Sequence, residues 1–267
     1  MIDFPEKWDR RPRRGEVSRK LGGIPHPRQA GVIGVLLCCI LGCGEKELAK
    51  GNDGGVEPDS GIVVDGGVVI KDYSPLTAGS WWKYEDIDNP GTYHNDVLSG
   101  PVPIPNDVKG RSAFLLTRTH SDDAGDVHRT YVESKNGLVV RYRKEWDKNG
   151  SPDQEKVYDP FFLELDMTQL KPKDAWKATF VRSDYDGTGA LTAQKNKAYQ
   201  YTVESTADPL TVKGKTLSCV KITRLDLMDG DSKTFWYAEG VGRVKEIGVT
   251  SGSEDEAQEM LVDYEVK

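Results

Sequence analysis

The side chains with the widest chemical range are the least common in this chain. It has four histidines and four cysteines in 267 residues. His94, His120 and His128 lie in the body of the sequence, and no two of them show the His-x-x-x-His or Cys-x-x-Cys spacing that gathers zinc ligands. His120 stands beside Asp122 and Asp123, and His128 beside Asp126 and Arg129. A hairpin would bring these two histidines together with acids around them; otherwise they are ordinary solvated strand and loop residues. Gly214-Lys215-Thr216 resembles the end of a phosphate-binding loop, but Pro209 occupies the place of its first glycine. Gly240-Val241-Gly242 lacks the third glycine of a dinucleotide fingerprint, since Lys245 stands there. Asp184-Tyr185-Asp186-Gly187-Thr188-Gly189 starts like a calcium loop, yet Lys195 fills the position of the closing bidentate glutamate. No Gly-x-Ser-x-Gly elbow exists. Neither a metal, nor a cofactor, nor a catalytic set is expected from these residues.

Aromatic side chains form the other constellation. Trp81, Trp82, Tyr84, Trp146, Trp176 and Trp236 lie on stretches that alternate apolar and polar residues. Such rings serve either the core or a ligand surface. Trp81 and Trp82 are adjacent and must face opposite sides of a strand, so one of them points outward or into a concavity.

Three of the four cysteines, Cys38, Cys39 and Cys43, sit near the start of the chain. Six arginines and two lysines within residues 1–42 precede or flank an uncharged run, Ala30 to Gly42, of 13 residues. A membrane-spanning helix needs about 20 apolar residues, so the run suits the apolar region of a signal peptide. The 29 residues before it make a long leader and point to a translation start downstream, with Val17 as the candidate. Ile40-Leu41-Gly42-Cys43 followed by polar Gly44-Glu45-Lys46 resembles the lipobox of bacterial lipoproteins. The resemblance implies that the Cys43 thiol receives a diacylglycerol, that cleavage falls between Gly42 and Cys43, and that the new amine is acylated with a fatty acid such as palmitate. Because Gly44 and not Asp follows Cys43, the resemblance implies sorting to the outer membrane of a Gram-negative envelope. Leu41 is bulkier than the usual residue before the small one, which would slow cleavage.

Removal of residues 1–42 takes away 8 basic and 4 acidic residues and leaves 28 and 39 of the chain's 36 and 43, a net charge of −11. An acidic body is repelled by anionic headgroups, so attachment to a lipid bilayer would rest on the acyl chains. The acidic balance and a pI near 5.3 also argue against nucleic acid as a partner. Cys219 would then have no disulfide partner, and in the strand-like Thr216–Thr223 it reads as a small buried hydrophobe.

Three segments follow: a signal peptide at 1–42, the lipidated cysteine with a Gly/Asp-rich tether at 43–72, and one domain at 73–267. The tether contains Gly51-Asn-Asp-Gly-Gly55 and Asp65-Gly-Gly67 and buries too little to order itself. Its reach is roughly 30 Å. Gly61–Ile70 is its one apolar patch. Beyond Tyr73 the period becomes two. Leu138, Val140, Tyr142 and Trp146 alternate with Val139, Arg141, Arg143 and Glu145, and Met260, Val262, Tyr264 and Val266 with Glu259, Leu261, Asp263 and Glu265. Alternation marks half-buried strands, with the apolar set expected inside. Similar runs cover residues 81–85, 113–119, 127–133, 176–182, 199–203, 217–227, 233–238 and 243–247. Asn136-Gly137 between two runs predicts a type I′ hairpin. The expected fold is all-β: an antiparallel meander of about ten strands forming a curved sheet, a half-barrel or a barrel.

Two stretches carry a further resemblance. Pro75-Leu-Thr-Ala-Gly79-Ser-Trp81-Trp82-Lys-Tyr84 resembles the opening Pro-Leu-x-x-Gly-x-x-Trp-x-Tyr of a family of uncharacterised exported β-rich bacterial lipoproteins. Trp236-Tyr-Ala238-Glu-Gly240-Val-Gly242-Arg-Val244-Lys245 resembles its closing Trp-x-Ala-x-Gly-Val-Gly-x-Val-Lys. The resemblance implies an envelope lipoprotein and brings no catalytic residues. The leading expectation is a non-catalytic, lipid-anchored binding or scaffold module for an apolar ligand or an envelope protein. The alternatives are an envelope hydrolase using scattered acids with His120 or His128, and a purely structural lipoprotein whose sheet is filled.

Overall fold

A computed structural model describes residues 61–64, 68–123, 125–249 and 258–267. The expected signal peptide at 1–42, with Gly42, then Cys43 and most of the expected tether lie outside the described residues. Fourteen strands follow one another without a helix among the described residues. β1 (Gly61–Val64) and β2 (Val68–Lys71) pair as a separate hairpin within the apolar patch of the tether. Ile70 of β2 is buried against Val139, Leu165 and Met167, so this hairpin is joined to the main core.

The other twelve strands are β3 (Trp81–Asp86), β4 (Tyr93–Pro103), β5 (Ser112–His120), β6 (Val127–Lys135), β7 (Leu138–Lys148), β8 (Ser151–Asp166), β9 (Ala175–Asp186), β10 (Leu191–Val212), β11 (Lys215–Asp226), β12 (Ser232–Ala238), β13 (Gly242–Val249) and β14 (Gln258–Glu265). Each pairs antiparallel with the next, and β14 pairs with β3, which closes an up-and-down barrel. Closure removes the sheet edges that an open meander would leave as templates for aggregation. Tight turns make it possible: Asn136-Gly137 and Lys213-Gly214 both hold positive φ at each residue, as a type I′ turn requires.

Two strands are absent from the alternating runs of the sequence, β4 and β8. Both carry proline, which cannot donate to a ladder. Pro101 sits where the register between β4 and β5 shifts, and Pro152 where that between β7 and β8 shifts. Pro160 falls in a longer break, where Arg141 faces Phe162 while Arg143 faces Val157. Bulges thus absorb the prolines and let the strands continue.

Bulges also reverse the expected faces. On β7, Val139 and Arg141 face the barrel interior, and so does Trp146 beyond the shift. Val140 and Tyr142, expected inside, instead form a core patch with Ile104, Ala113 and Tyr131, closed by the segment between β4 and β5. Arg143 fastens that segment by donating to the Pro105 carbonyl at 2.8 Å. On β14 it is Glu259 and Leu261 that turn inward, and Met260 and Val262 that do not.

At one end of the barrel the interior is packed solid. Trp82, Leu98, Val132, Val244 and Leu261 fill it on one side, and Val139, Trp176, Tyr201, Val203, Val220 and Ile222 on the other. Ser74, Pro75 and Leu76, ahead of β3, form part of the floor above them. The end of the β10–β11 hairpin arches back onto the wall: Val212 and Cys219 meet Trp236 and Ala238, and Asp208 accepts the Trp236 indole N–H at 3.0 Å. Many outward positions on the wall are polar, among them Lys83, Asn95, Thr117, Thr119, Lys177, Thr179, Lys221 and Thr223, with Val97 and Leu225 as exposed apolar exceptions. A barrel crossing a bilayer would need an apolar band there.

Candidate functional site

Above the floor lies a cavity of about 470 Å³. Inward-facing strand positions follow one rule. Residues near the floor are apolar, and the same face turns polar toward the other end. Leu98 gives way to Asp96 and His94, Leu116 to Arg118 and His120, Val139 to Arg141, Leu261 to Glu259, and Val220 and Ile222 to Arg224. Period two carries each series along one face.

Five rings cross neighbouring strands in a row. Tyr84 on β3 stacks on His94 of β4 with centroids 5.0 Å apart and planes at 20°. His94 meets His120 of β5 at 5.7 Å, His120 meets His128 of β6 at 4.9 Å, and His128 meets Trp146 of β7 at 5.8 Å. His94 and His120 are register partners, as are His128 and Trp146. Burial, reinforced by the positive charge of Arg118, draws His94 down to about 4. Burial, then Lys144 and His120, draws His128 down to about 3, and burial also lowers His120. All three are neutral imidazoles at neutral pH.

Charged groups run beside the rings as a chain of ion pairs. Arg118 donates from Nε and Nη2 to both Asp96 oxygens at 2.8 and 2.9 Å, and from Nη1 to Glu259 at 2.9 Å. Arg243 joins Glu259 at 3.0 Å and also Glu246, which Lys233 reaches at 2.9 Å. Arg141 pairs with Glu164. Burial alone would raise the Asp96 and Glu259 carboxyls, but the arginines outweigh it and hold both at about 2. His94 Nε2 lies 3.5 Å from Glu259 without forming a hydrogen bond.

Three of the six aromatic candidates line this cavity: Trp82, Tyr84 and Trp146. The other three do not. Trp81 faces out and donates to Glu265 at 3.1 Å. Trp176 stacks flat on Tyr201 in the core, 5.1 Å apart. Trp236 is buried under the arched hairpin. His120 and His128 are brought together, with His94 as a third member. The remaining chemical candidates are accounted for by structure. Gly214 is a hairpin turn. Asp186 accepts from Thr188 and Ala190 at a hairpin tip. Cys219 is fully buried, and burial pushes its thiol up to about 11. Among the described residues no group of histidine, cysteine and acid is arranged to hold a metal ion.

The sequence reading overlooked the charged lining: Asp96, Arg118, Arg141, Glu164, Arg224, Lys233, Arg243, Glu246 and Glu259. Its signal was present where a charge extends an apolar period-two series, as Arg224 extends Val220 and Ile222.

Searches of protein-family models, curated proteins and solved structures return no match for this chain.

Proposed function

We propose that this chain is a lipid-anchored lipoprotein of the bacterial envelope, held in the outer membrane through acylated Cys43, and that its barrel is a non-catalytic binding module for a small molecule. The observation that supports binding is the cavity: 470 Å³ of space, apolar at the floor and lined higher up by rings and charges. Pockets of roughly 300–1,000 Å³ with a few converging polar groups suit small ligands. A purely structural barrel would be filled, as the floor end is. The mixed lining favours an amphipathic ligand over a wholly apolar one.

The hydrolase reading draws less support. A general acid working near neutral pH needs a raised carboxyl. Asp96, Glu246 and Glu259 are all shifted the other way by the side chains of Arg118, Arg243 and Lys233. Nδ1 of His128 and Nε2 of His94 and His120 make no hydrogen bond, so none is engaged with a nucleophile through these atoms.

Two measurements test the proposal. Native mass spectrometry of protein extracted from its own host should show acylated Cys43 at the N-terminus and a non-covalent small molecule on the barrel. A bare barrel mass in repeated preparations would count against binding. Cys43→Ala should abolish acyl labelling and detergent-phase partitioning, and partitioning that survives would refute the anchor.

A further inference from the structure

The cavity's charges do not cancel. Its lining holds six cationic side chains, Arg118, Arg141, Lys144, Arg224, Lys233 and Arg243, against five carboxylates, Asp86, Asp96, Glu164, Glu246 and Glu259. In a chain with a formal net charge of −7, an inward excess of positive charge runs against composition. Lys144 lies over the Trp146 ring, 4.5 Å from its centre, and Asp86 accepts from the backbone N–H groups of Asp88 and Asn89 in its own turn; the ion pairs sort the rest. Arg118, Arg141, Arg243 and Lys233 each bind at least one of the four interior acids. Arg224 binds none: among the described residues no carboxylate lies within ion-pair distance of it.

What surrounds Arg224 instead is aromatic. Its guanidinium lies 4.8 Å from the Tyr199 ring centre, 5.2 Å from Phe235 and 5.3 Å from Phe162. Ring faces attract a cation but do not neutralise it. The Tyr201 hydroxyl donates to the Leu163 carbonyl and brings no charge to the guanidinium. Glu246 attracts it only from beyond ion-pair distance, and a half-buried cation with no carboxylate in contact is costly to keep. The guanidinium is also the side chain whose planar fork matches a carboxylate, sulfonate or phosphate. Phe162 and Phe235, beside it on the lining, offer apolar surface to the rest of such a molecule.

Building on the binding reading above, we propose that Arg224 is the anion receptor of the cavity and that the ligand is a small organic acid. Its single anionic group pairs with Arg224, and its apolar or aromatic body lies against Phe162 and Phe235.

Two fluorescent probes with one skeleton test this: anilinonaphthalene sulfonate, and phenylnaphthylamine, which lacks the sulfonate. Titrated into the purified protein, each should bind at one site per chain. The sulfonate should bind about tenfold or more tighter, the size expected for an added charge pair in a desolvated site. Arg224→Met should erase that preference while leaving phenylnaphthylamine affinity within about twofold. Arg224→Lys should keep most of it. Equal affinities in the native protein, or a preference that survives in Arg224→Met, overturns the assignment of Arg224. Should Arg224→Met fail to fold by circular dichroism, the native ratio and Arg224→Lys decide. Failure of both probes to bind the native protein is a different result, and it removes the binding-cavity reading itself.

Discussion

Asp96 on β4 and Arg118 on β5 are direct register partners, and the arginine clasps both carboxylate oxygens through two parallel N–H···O bonds. Both face the cavity. The pair sits where the inward faces change from apolar to polar, and Arg118 extends it to Glu259 on β14. A bidentate pair of this kind is geometrically exacting, and the loss of one partner leaves a buried charge. Asp96→Asn should therefore destabilise the barrel by about 3 kcal/mol in urea unfolding, at the lower edge of what breaking a buried pair costs. Arg118→Met should cost a comparable amount, and the double variant less than the sum. Additivity of the two would show that the pair is not coupled.

Acid should unfold the protein in two stages. The folded values of His94 (about 4) and His128 (about 3) lie below the ordinary 6.5 of a free imidazole. Above pH 6.5 neither state is protonated and these groups contribute nothing. As pH falls below 6.5 the unfolded chain takes up protons that the folded chain refuses, so stability declines. For the buried His94 this amounts to about 1.5 kcal/mol between pH 6.5 and 5. Asp96 and Glu259 act lower down: their stabilisation is present above the usual carboxylate range and is lost as pH drops toward 2. His94→Gln should make the upper stage shallower, leaving the part due to His128 and His120, and should leave the lower one, read as urea midpoints from pH 7.5 to 2.5. An unchanged upper slope would contradict the burial of His94.

Cys219 should be invisible to a water-soluble maleimide in the native protein at pH 8, because it is fully buried and its thiol is pushed up to about 11. In denaturant one thiol per chain should react. On the proposed lipoprotein reading, cleavage before Cys43 would discard Cys38 and Cys39 and a thioether would occupy Cys43. A count of four would mean an unprocessed chain.

Trp82 and Tyr84 are expected to hold the barrel together as well as line its cavity. The Trp82 indole donates to the Val241 carbonyl at 2.6 Å and the Tyr84 hydroxyl to the Arg243 carbonyl at 2.9 Å. Gly242 between them has φ +98°, and a Cβ there would stand 3.6 Å from the Trp82 indole nitrogen. Trp82→Phe should lower stability by about 1–3 kcal/mol through the buried carbonyl it strands. Tyr84→Phe should cost about 1 kcal/mol. Differential scanning calorimetry on both variants checks this, and no change in either midpoint would deny the two bonds a structural role.

Period-two patterning made the strand class and the antiparallel meander legible, and Asn136-Gly137 marked its hairpin. The two barrel strands that the alternation missed, β4 and β8, carry prolines at register breaks that no local pattern announces. The site was harder to see for a related reason. Simple alternation assigns the apolar set of a strand to the inside. On β7 and β14 the apolar sets lie elsewhere, and Arg141 and Glu259 occupy the inward places. His120 and His128 are eight residues apart and a hairpin could be expected to join them, but only the register of β4 on β5 brings in the distant His94. Of the ring candidates, Trp82, Tyr84 and Trp146 share that wall, while Trp176 and Trp236 look the same in sequence and fill cores.

The seam between β13 and β14 differs from its neighbours. Lys245, Glu246 and Ile247 pair with β14, whereas Gly242, Arg243 and Val244 pair only with β12 or not at all. Below Lys245 the two strands part, and the Trp82 and Tyr84 side chains span the gap from β3. A ring of continuous ladders has a fixed circumference. This one has an expansion joint, bridged by two side-chain fasteners in place of rigid backbone rungs, so any change in girth would be concentrated at that joint.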